Sequence, residues 1–203
     1  MKSRFLAAIV ATASLFAVSG DLRAASNNPL DPEERLTGGA PSGRVSSFFG
    51  FGGSSLQTRE TVNFSNASYK PGTIVISTKE RRLYLVQEGG RALRYGIGVG
   101  RPGFTWSGVK TVTAKKEWPS WTPPAQMLKR RPDLPRFMPG GEDNPLGARA
   151  MYLGSTLYRI HGSNEPETIG QAVSSGCFRM TNEDVKDLYE RVRVGTTVVI
   201  KHD

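Results

Sequence analysis

The sequence predicts a mainly β domain, a β-sandwich of mixed sheets with one short packed helix and one long lid-like loop. Short β-branched and aromatic segments, separated by glycine, proline and charged turns, recur from residue 73 to the C-terminus. A single segment, 181–192, has the spacing of an amphipathic helix. Residues 69–203 are long enough to enclose one hydrophobic core, so we expect one folded domain there.

The strands are predicted from runs of continuous or alternating apolar residues. Residues 73–78 and 82–86 are two β-branched runs joined by the charged turn Lys79-Glu80-Arg81, which is typical of a hairpin. The further predicted strands are 92–99, 109–114, 150–153, 157–160 and 196–200.

The helix is predicted from an apolar stripe with the spacing i, i+3, i+4, i+7. Thr181 or Asn182 is suited to cap its start, and the acidic residues Glu183 and Asp184 favour the first turn. We expect the stripe to pack against the core; it consists of Val185, Leu188, Tyr189 and Val192.

Residues 117–149 hold seven prolines and lack any periodic pattern. A loop of this length inside a compact domain is either functional, such as a lid over a cleft, or a passive surface excursion. Two tryptophans in it, Trp118 and Trp121, are costly to leave in water and favour packing against the domain or a ligand. They are candidate substrate-binding residues.

The N-terminal residues 1–24 are interpreted as a secretory signal peptide. A basic start precedes an apolar run, 5–18, which is shorter than a membrane-spanning helix requires. An uncleaved anchor is the alternative, and both interpretations predict an exported protein, in the periplasm or cell wall. Residues 25–68 are rich in serine, asparagine, glycine and proline, so we expect a flexible tether there, or a segment that docks on a partner.

The formal charge of the chain is +9. Residues 1–24 carry three cations and one anion, so their removal leaves a charge of +7. A basic surface suits an anionic partner such as nucleic acid, acidic lipid or a cell-wall polymer. We exclude nucleic acid because of the predicted export and because no nucleic-acid-binding motif is present. Membrane contact is expected only through the signal peptide.

Cys177 is the only cysteine, and it follows His161 by sixteen positions; the other histidine, His202, is next to the C-terminus. A thiol with an ordinary pKa is mostly protonated at neutral pH and needs a base to become a good nucleophile. The pair predicts a cysteine acyltransferase or peptidase, with Cys177 as nucleophile and His161 as proton acceptor. The alternatives are a buried, apolar cysteine and a histidine with a structural role.

The residues around the thiol predict two further roles. The amides of Gly176 and Cys177 are candidate donors to the oxyanion formed on attack. Arg179, two positions further on, points the same way in an extended chain and is suited to bind a substrate carboxylate, or else to form a surface salt bridge. One cysteine and two histidines do not make a zinc site, and we expect neither a metal nor a cofactor.

The order and spacing of these motifs resemble the L,D-transpeptidase catalytic (YkuD) domain, over about residues 73–201. The resemblance lies in Asp143-Asn144-Pro145-Leu146-Gly147, Tyr158-Arg159-Ile160-His161-Gly162, Ile169-Gly170, Ser174-Ser175-Gly176-Cys177-Phe178-Arg179-Met180, Asn182-Glu183-Asp184-Val185 and Gly195-Thr196.

This resemblance implies a β-sandwich with the cysteine in a cleft under a loop, acting on peptidoglycan stem peptides. It gives Cys177 the role of nucleophile and His161 that of proton-transfer residue, oriented through its other ring nitrogen by the carbonyl of Gly162. Many members carry histidine before the Gly-Cys pair, whereas this chain has Ser175, whose hydroxyl or backbone would take over any role in oxyanion binding.

The reaction predicted is attack of the thiol on the third residue of a tetrapeptide stem, which releases D-alanine and leaves a thioester. An amine of another stem, or of an exported protein, then accepts the acyl group. The alternatives are an L,D-carboxypeptidase, with water as acceptor, and a wall-binding module without catalysis. We expect the enzyme to act as a monomer.

Overall fold

The computed structural model describes residues 59–66 and 68–203. The predicted signal peptide, 1–24, and most of the predicted tether lie outside the described residues. Within them, no helix is long and apolar enough to cross a membrane. The elements are β1 (Glu60–Asn63), β2 (Ile74–Ser77), β3 (Arg82–Gln87), β4 (Arg91–Gly96), β5 (Val99–Gly100), β6 (Gly108–Glu117), α1 (Ala125–Arg130), β7 (Arg149–Leu153), β8 (Arg159–His161), β9 (Ala172–Ser174), β10 (Phe178–Arg179), α2 (Asn182–Arg191) and β11 (Thr197–Lys201).

Nine of the described strands form one sheet in the order β1-β4-β3-β2-β11-β6-β7-β8-β10, while β5 and β9 pair separately. The sheet is mixed, because β11 runs parallel to β2 and β10 runs parallel to β8, whereas the other neighbours are antiparallel. The predicted mainly β class with mixed pairing is confirmed.

The long strand β6 joins the two halves of the sheet. Its first part pairs with β11 and its second part with β7, and the register shifts between Val112 and Ala114. A bulge of this kind bends a strand and increases its twist, so the sheet curls at β6. One core cluster contains buried residues from both halves, including Ile76, Tyr95 and Met151. The sheet therefore wraps its own core.

Helix α2 agrees with its sequence prediction. The Oγ1 atom of Thr181 accepts a hydrogen bond from the amide of Asp184 at 3.1 Å, which caps the first turn. Val185 and Leu188 are completely buried in the core cluster, and Tyr189 packs against it. The helix packs on β7.

The folded domain begins earlier than the sequence indicates. Strand β1 lies inside the predicted tether, 25–68, and pairs with β4 through the register Val62↔Ala92. All but one of its four residues are exposed, so it is held by backbone hydrogen bonds at the sheet edge. Such a strand leaves no hydrophobic pattern in the sequence, and the tether prediction is wrong for these residues.

Residues 117–149 have a small core of their own. Strand-like hydrogen bonds of 2.8 and 2.7 Å join the backbones of Trp121 and Met138, and the helix α1 lies between them in the chain. Apolar residues from both sides of α1 bury one another; the cluster consists of Trp121, Leu134 and Leu146, with Met127, Leu128 and Met138 packed against it. This segment is therefore a structured part of the domain and not an unstructured surface loop.

Candidate active site

Strands β8 and β10 hold the candidate residues side by side. They pair in parallel, with Arg179 opposite His161, and the amide of Met180 donates to the carbonyl of His161 at 2.8 Å. Cys177 immediately precedes β10. Because alternate residues of an extended chain face the same way, Cys177 and Arg179 project toward the side on which His161 lies.

Cys177 and His161 both line one cavity of about 370 Å³. Cys177 is half-buried at its wall and belongs to neither hydrophobic cluster, so it is not an apolar core residue. The cavity lies between the sheet and the 117–149 segment. Its lining consists of Phe104, Trp121, Pro124, Gln126, Met127, Arg130, Pro145, Leu146, Leu157, Tyr158, Arg159, His161, Ser174, Ser175, Cys177 and Arg179.

His161 is oriented by the backbone of the next residue. Its Nδ1 atom lies 2.6 Å from the carbonyl oxygen of Gly162. A carbonyl only accepts, so Nδ1 carries the proton and Nε2 is left with a lone pair. Burial, strengthened by the charge of Arg179, lowers the pKa of His161 to about 3, although the bond to Gly162 opposes the shift. The ring is therefore a neutral base at physiological pH.

The thiol of Cys177 is protonated at rest. Desolvation raises its pKa, and the nearby charge of Arg159 opposes this only in part. The sulfur lies 3.8 Å from the carbonyl oxygen of Leu157, to which the S–H group can donate. The site therefore holds a thiol and a neutral imidazole, and nucleophilic attack by this sulfur would require the proton to move to a base.

The turn that carries the thiol is closed by Ser174. The Oγ atom of Ser174 donates to the carbonyl of Cys177 at 2.6 Å and accepts from the amide of Gly176 at 3.2 Å. The second bond engages one of the two amides expected to bind an oxyanion, and leaves the amide of Cys177 as the remaining candidate. Ser175 lines the cavity beside it.

Gly176 has to be glycine at this turn. Its φ is +108°, and a Cβ atom there would lie 2.5 Å from Cε1 of Tyr158. Both the backbone conformation and the close ring exclude a larger residue. The glycine lets the turn sit against the wall of the cavity.

Trp106 supports the same turn and was not identified from the sequence. Its Nε1 atom donates to the carbonyl of Gly176 at 2.9 Å, and its ring stacks on Tyr158 with centroids 4.5 Å apart. The cost of exposing a tryptophan, which drew attention to Trp118 and Trp121, was the available signal for Trp106.

Arg179 lines the cavity but has a protein partner. Its Nη1 atom lies 3.1 Å from Oε2 of Glu165, and Arg179 is only 7% exposed. The pair is a buried ion pair, not the surface salt bridge considered from the sequence. Glu165 therefore competes with any substrate carboxylate for Arg179, and no local sequence pattern had indicated Glu165.

The two candidate tryptophans differ in their position relative to the cavity. Trp121 is buried and lines the cavity. Trp118 is 37% exposed and lies outside the cavity lining, with Nζ of Lys186 positioned 5.8 Å from its ring centroid. Its backbone has a left-handed φ of +39°. Trp118 is thus not part of this cavity, and its role in substrate binding stays a prediction.

Within the described part of the chain, no three histidine, cysteine or carboxylate side chains are grouped as metal ligands. A thiol and a neutral imidazole on one cavity, with backbone amides beside the sulfur, form a candidate site for acyl transfer. The sequence profile of YkuD, the L,D-transpeptidase catalytic domain, matches residues 71–200. The chain belongs to this family.

Curated relatives carry the same family name. The chain is 42% identical over 136 residues to the Escherichia coli protein called Probable L,D-transpeptidase ErfK/SrfK, covering 63% of this chain and 43% of that protein. It is 42% identical over 134 residues to Probable L,D-transpeptidase YbiS of the same species, covering 62% and 43%. The aligned region is less than half the length of these two relatives.

Solved structures show the same fold. L,D-transpeptidase 3 of Mycobacterium tuberculosis matches with a TM-score of 0.53 at 18% identity, over 64% of this chain and 60% of that one. The catalytic domain of the Enterococcus faecium L,D-transpeptidase matches with a TM-score of 0.51 at 23% identity, over 66% and 100%. At these identities the likeness defines the fold alone.

Proposed function

We propose that this chain is an exported cysteine L,D-transpeptidase that acts on peptidoglycan tetrapeptide stems through a thioester on Cys177. Family membership supports the proposal. The observation that carries it is the pairing of Cys177 with His161 on one cavity, where the bond between His161 Nδ1 and the Gly162 carbonyl leaves Nε2 able to accept a proton.

In the first half-reaction, Nε2 of His161 takes the thiol proton as the sulfur of Cys177 attacks the carbonyl carbon of the third stem residue. The new S–C bond gives a tetrahedral oxyanion, which the amide of Cys177 is positioned to bind. Collapse breaks the C–N bond. The imidazolium returns its proton to the leaving amine, and D-alanine departs from a thioester.

In the second half-reaction, an amine of another stem attacks the thioester, with His161 again accepting a proton. The tetrahedral intermediate expels the sulfur, which regains its proton, and a cross-link remains. An amine of an exported protein gives protein attachment by the same step, and water gives hydrolysis. The basic surface charge suits an anionic wall polymer, and the N-terminal segment supports export.

Product analysis tests this function. Purified full-length chain is incubated with tetrapeptide stem fragments, and the products are separated by mass. We expect cross-linked dimers and free D-alanine from the wild type, and neither from Cys177→Ala. Tripeptide without dimers would assign an L,D-carboxypeptidase. Wall binding that survives Cys177→Ala, without any turnover in the wild type, would make the chain a binding module.

A further inference from the structure

Three arginines among the described residues line the cavity, and of these only Arg159 both lies next to the sulfur and has no carboxylate partner there. Arg179 is paired with Glu165. Arg130 lies on helix α1, 5.2 Å from the centroid of the Phe104 ring. Arg159, on strand β8, forms no ion pair with any carboxylate of the described residues. None of the described residues that line the cavity is acidic, so this lining is cationic.

The contacts of Arg159 fix its guanidinium beside the nucleophile. Its Nη1 atom donates to the carbonyl of Leu157 at 2.9 Å, the same carbonyl that lies 3.8 Å from the sulfur of Cys177. The guanidinium also lies over the ring of Tyr152, 5.1 Å from its centroid. The cation and the sulfur are thus neighbours across one carbonyl oxygen.

The charge of Arg159 is incompletely compensated. Its Nε atom is buried and has no hydrogen-bond partner. A carbonyl and an aromatic face leave the half-buried guanidinium without a counter-charge, and a carboxylate offers the bidentate geometry that a guanidinium prefers. An anionic ligand group would complete this environment.

We propose that Arg159 binds the terminal carboxylate of the residue that follows the scissile bond in the acyl donor. The proposal rests on the proposed function and names its donor requirement. Consecutive Cα atoms are about 3.8 Å apart, so the carboxylate of a one-residue leaving group lies close to the attacked carbonyl. In a longer donor an uncharged amide would occupy that position. Arg159 therefore selects stems with a single residue beyond the scissile bond.

Binding measured without turnover tests the proposal. In the full-length Cys177→Ala protein, calorimetry compares a tetrapeptide stem that has a free C-terminal carboxylate with the same stem as its C-terminal amide. We expect the acid to bind about 10- to 100-fold more tightly, because a charge-assisted bond is lost in the amide. Adding Arg159→Gln should bring the ratio close to one, and Arg159→Lys should restore part of it.

Arg130→Gln is the matched control, since Arg130 is a second cavity cation that has no ion pair among the described residues. It should alter both affinities alike and keep the ratio. A ratio unchanged by Arg159→Gln, or abolished by Arg130→Gln, would overturn the proposal. The proposal would also fail if Arg159→Gln kept the acid-to-amide ratio but lost the discrimination between stems with a diamino-diacid and stems with lysine. Arg159 would then bind a side-chain carboxylate.

The proposed function is judged separately in the wild type. Thioester formation at equal rates from acid and amide stems would refute the role of Arg159 while supporting the transpeptidase reaction. An Arg159-dependent binding ratio without any thioester would support the carboxylate site and refute the reaction.

Discussion

The Nδ1 atom of His161 and the carbonyl oxygen of Gly162 lie 2.6 Å apart, and this contact between successive residues fixes the tautomer of the ring. With the proton on Nδ1, Nε2 keeps its lone pair and can accept the thiol proton in the reaction that we propose. Burial also keeps the ring neutral, so the base needs no deprotonation before it acts.

The first prediction concerns pH. Because the pKa of His161 is lowered to about 3, its neutral form persists as the pH falls below 6.5, and activity on the acid side is retained. We expect the single-turnover acylation rate to change less than about twofold between pH 7 and pH 5. For a histidine with an ordinary pKa near 6.5, the neutral fraction and hence the rate would fall about 25-fold over this range. Quenched-flow mass spectrometry measures the rate, and a fall of about 25-fold would contradict the burial of the ring.

The second prediction concerns the turn that carries the thiol. Trp106→Phe keeps an aromatic ring against Tyr158 but removes the N–H group that donates to Gly176. We expect the free energy of unfolding to fall by about 1 kcal/mol and acylation to slow about tenfold. Trp118→Phe, on an exposed ring outside the cavity, is the control and should change neither much. Equal effects of the two substitutions would remove any special role of Trp106.

The third prediction separates backbone strain from a steric clash. Gly176 and Gly89 both have positive φ, but only Gly176 has a neighbouring ring where a Cβ would be placed. Gly89→Ala should lower the free energy of unfolding by about 1–2 kcal/mol and leave acylation unchanged. Gly176→Ala should destabilise more and slow acylation at least tenfold. Chemical denaturation and acylation assays check both, and an active Gly176→Ala protein would show that the turn tolerates displacement.

The fourth prediction concerns the buried ion pair of Arg179 and Glu165. Glu165→Gln leaves the guanidinium without its counter-charge, and we expect the free energy of unfolding to fall by about 3–5 kcal/mol. The double substitution with Arg179→Gln should recover part of this loss. Glu117→Gln removes a carboxylate that is 60% exposed from its pair with Arg149 and should have a smaller effect. Denaturant titration measures all three; a Glu165→Gln protein as stable as wild type would mean that Arg179 has other compensation.

The main strands and helix α2 could be predicted from the sequence because their burial follows a simple period. Ile74–Ser77 is a continuous β-branched run, and Val185 and Leu188 recur on one helix face. Strand β1 could not be predicted, because its residues are mostly exposed and backbone pairing has no side-chain signature. The small core of 117–149, in which Trp121 packs with Leu146, could not be predicted either, because its prolines interrupt any periodic apolar pattern.

Cys177 and His161 could be selected from the sequence because a lone thiol and one internal histidine stand out in a chain of this composition. Their supporting contacts could not. Trp106 and Gly176 are 70 positions apart, and Glu165 and Arg179 are 14 apart on different segments. Such pairs depend on how loops cross the end of the sheet, which no local pattern in the sequence records.

The central claim is that His161 takes the proton from Cys177 during attack, and the acylation rate of His161→Gln tests it most directly. His202→Gln is the matched control, because His202 lies outside the cavity lining and contacts Thr78. With a tetrapeptide stem at pH 7, intact-mass kinetics should show acylation slowed about 10²- to 10⁴-fold in His161→Gln and unchanged in His202→Gln. Acylation of Cys177 at the wild-type rate in His161→Gln would contradict the account.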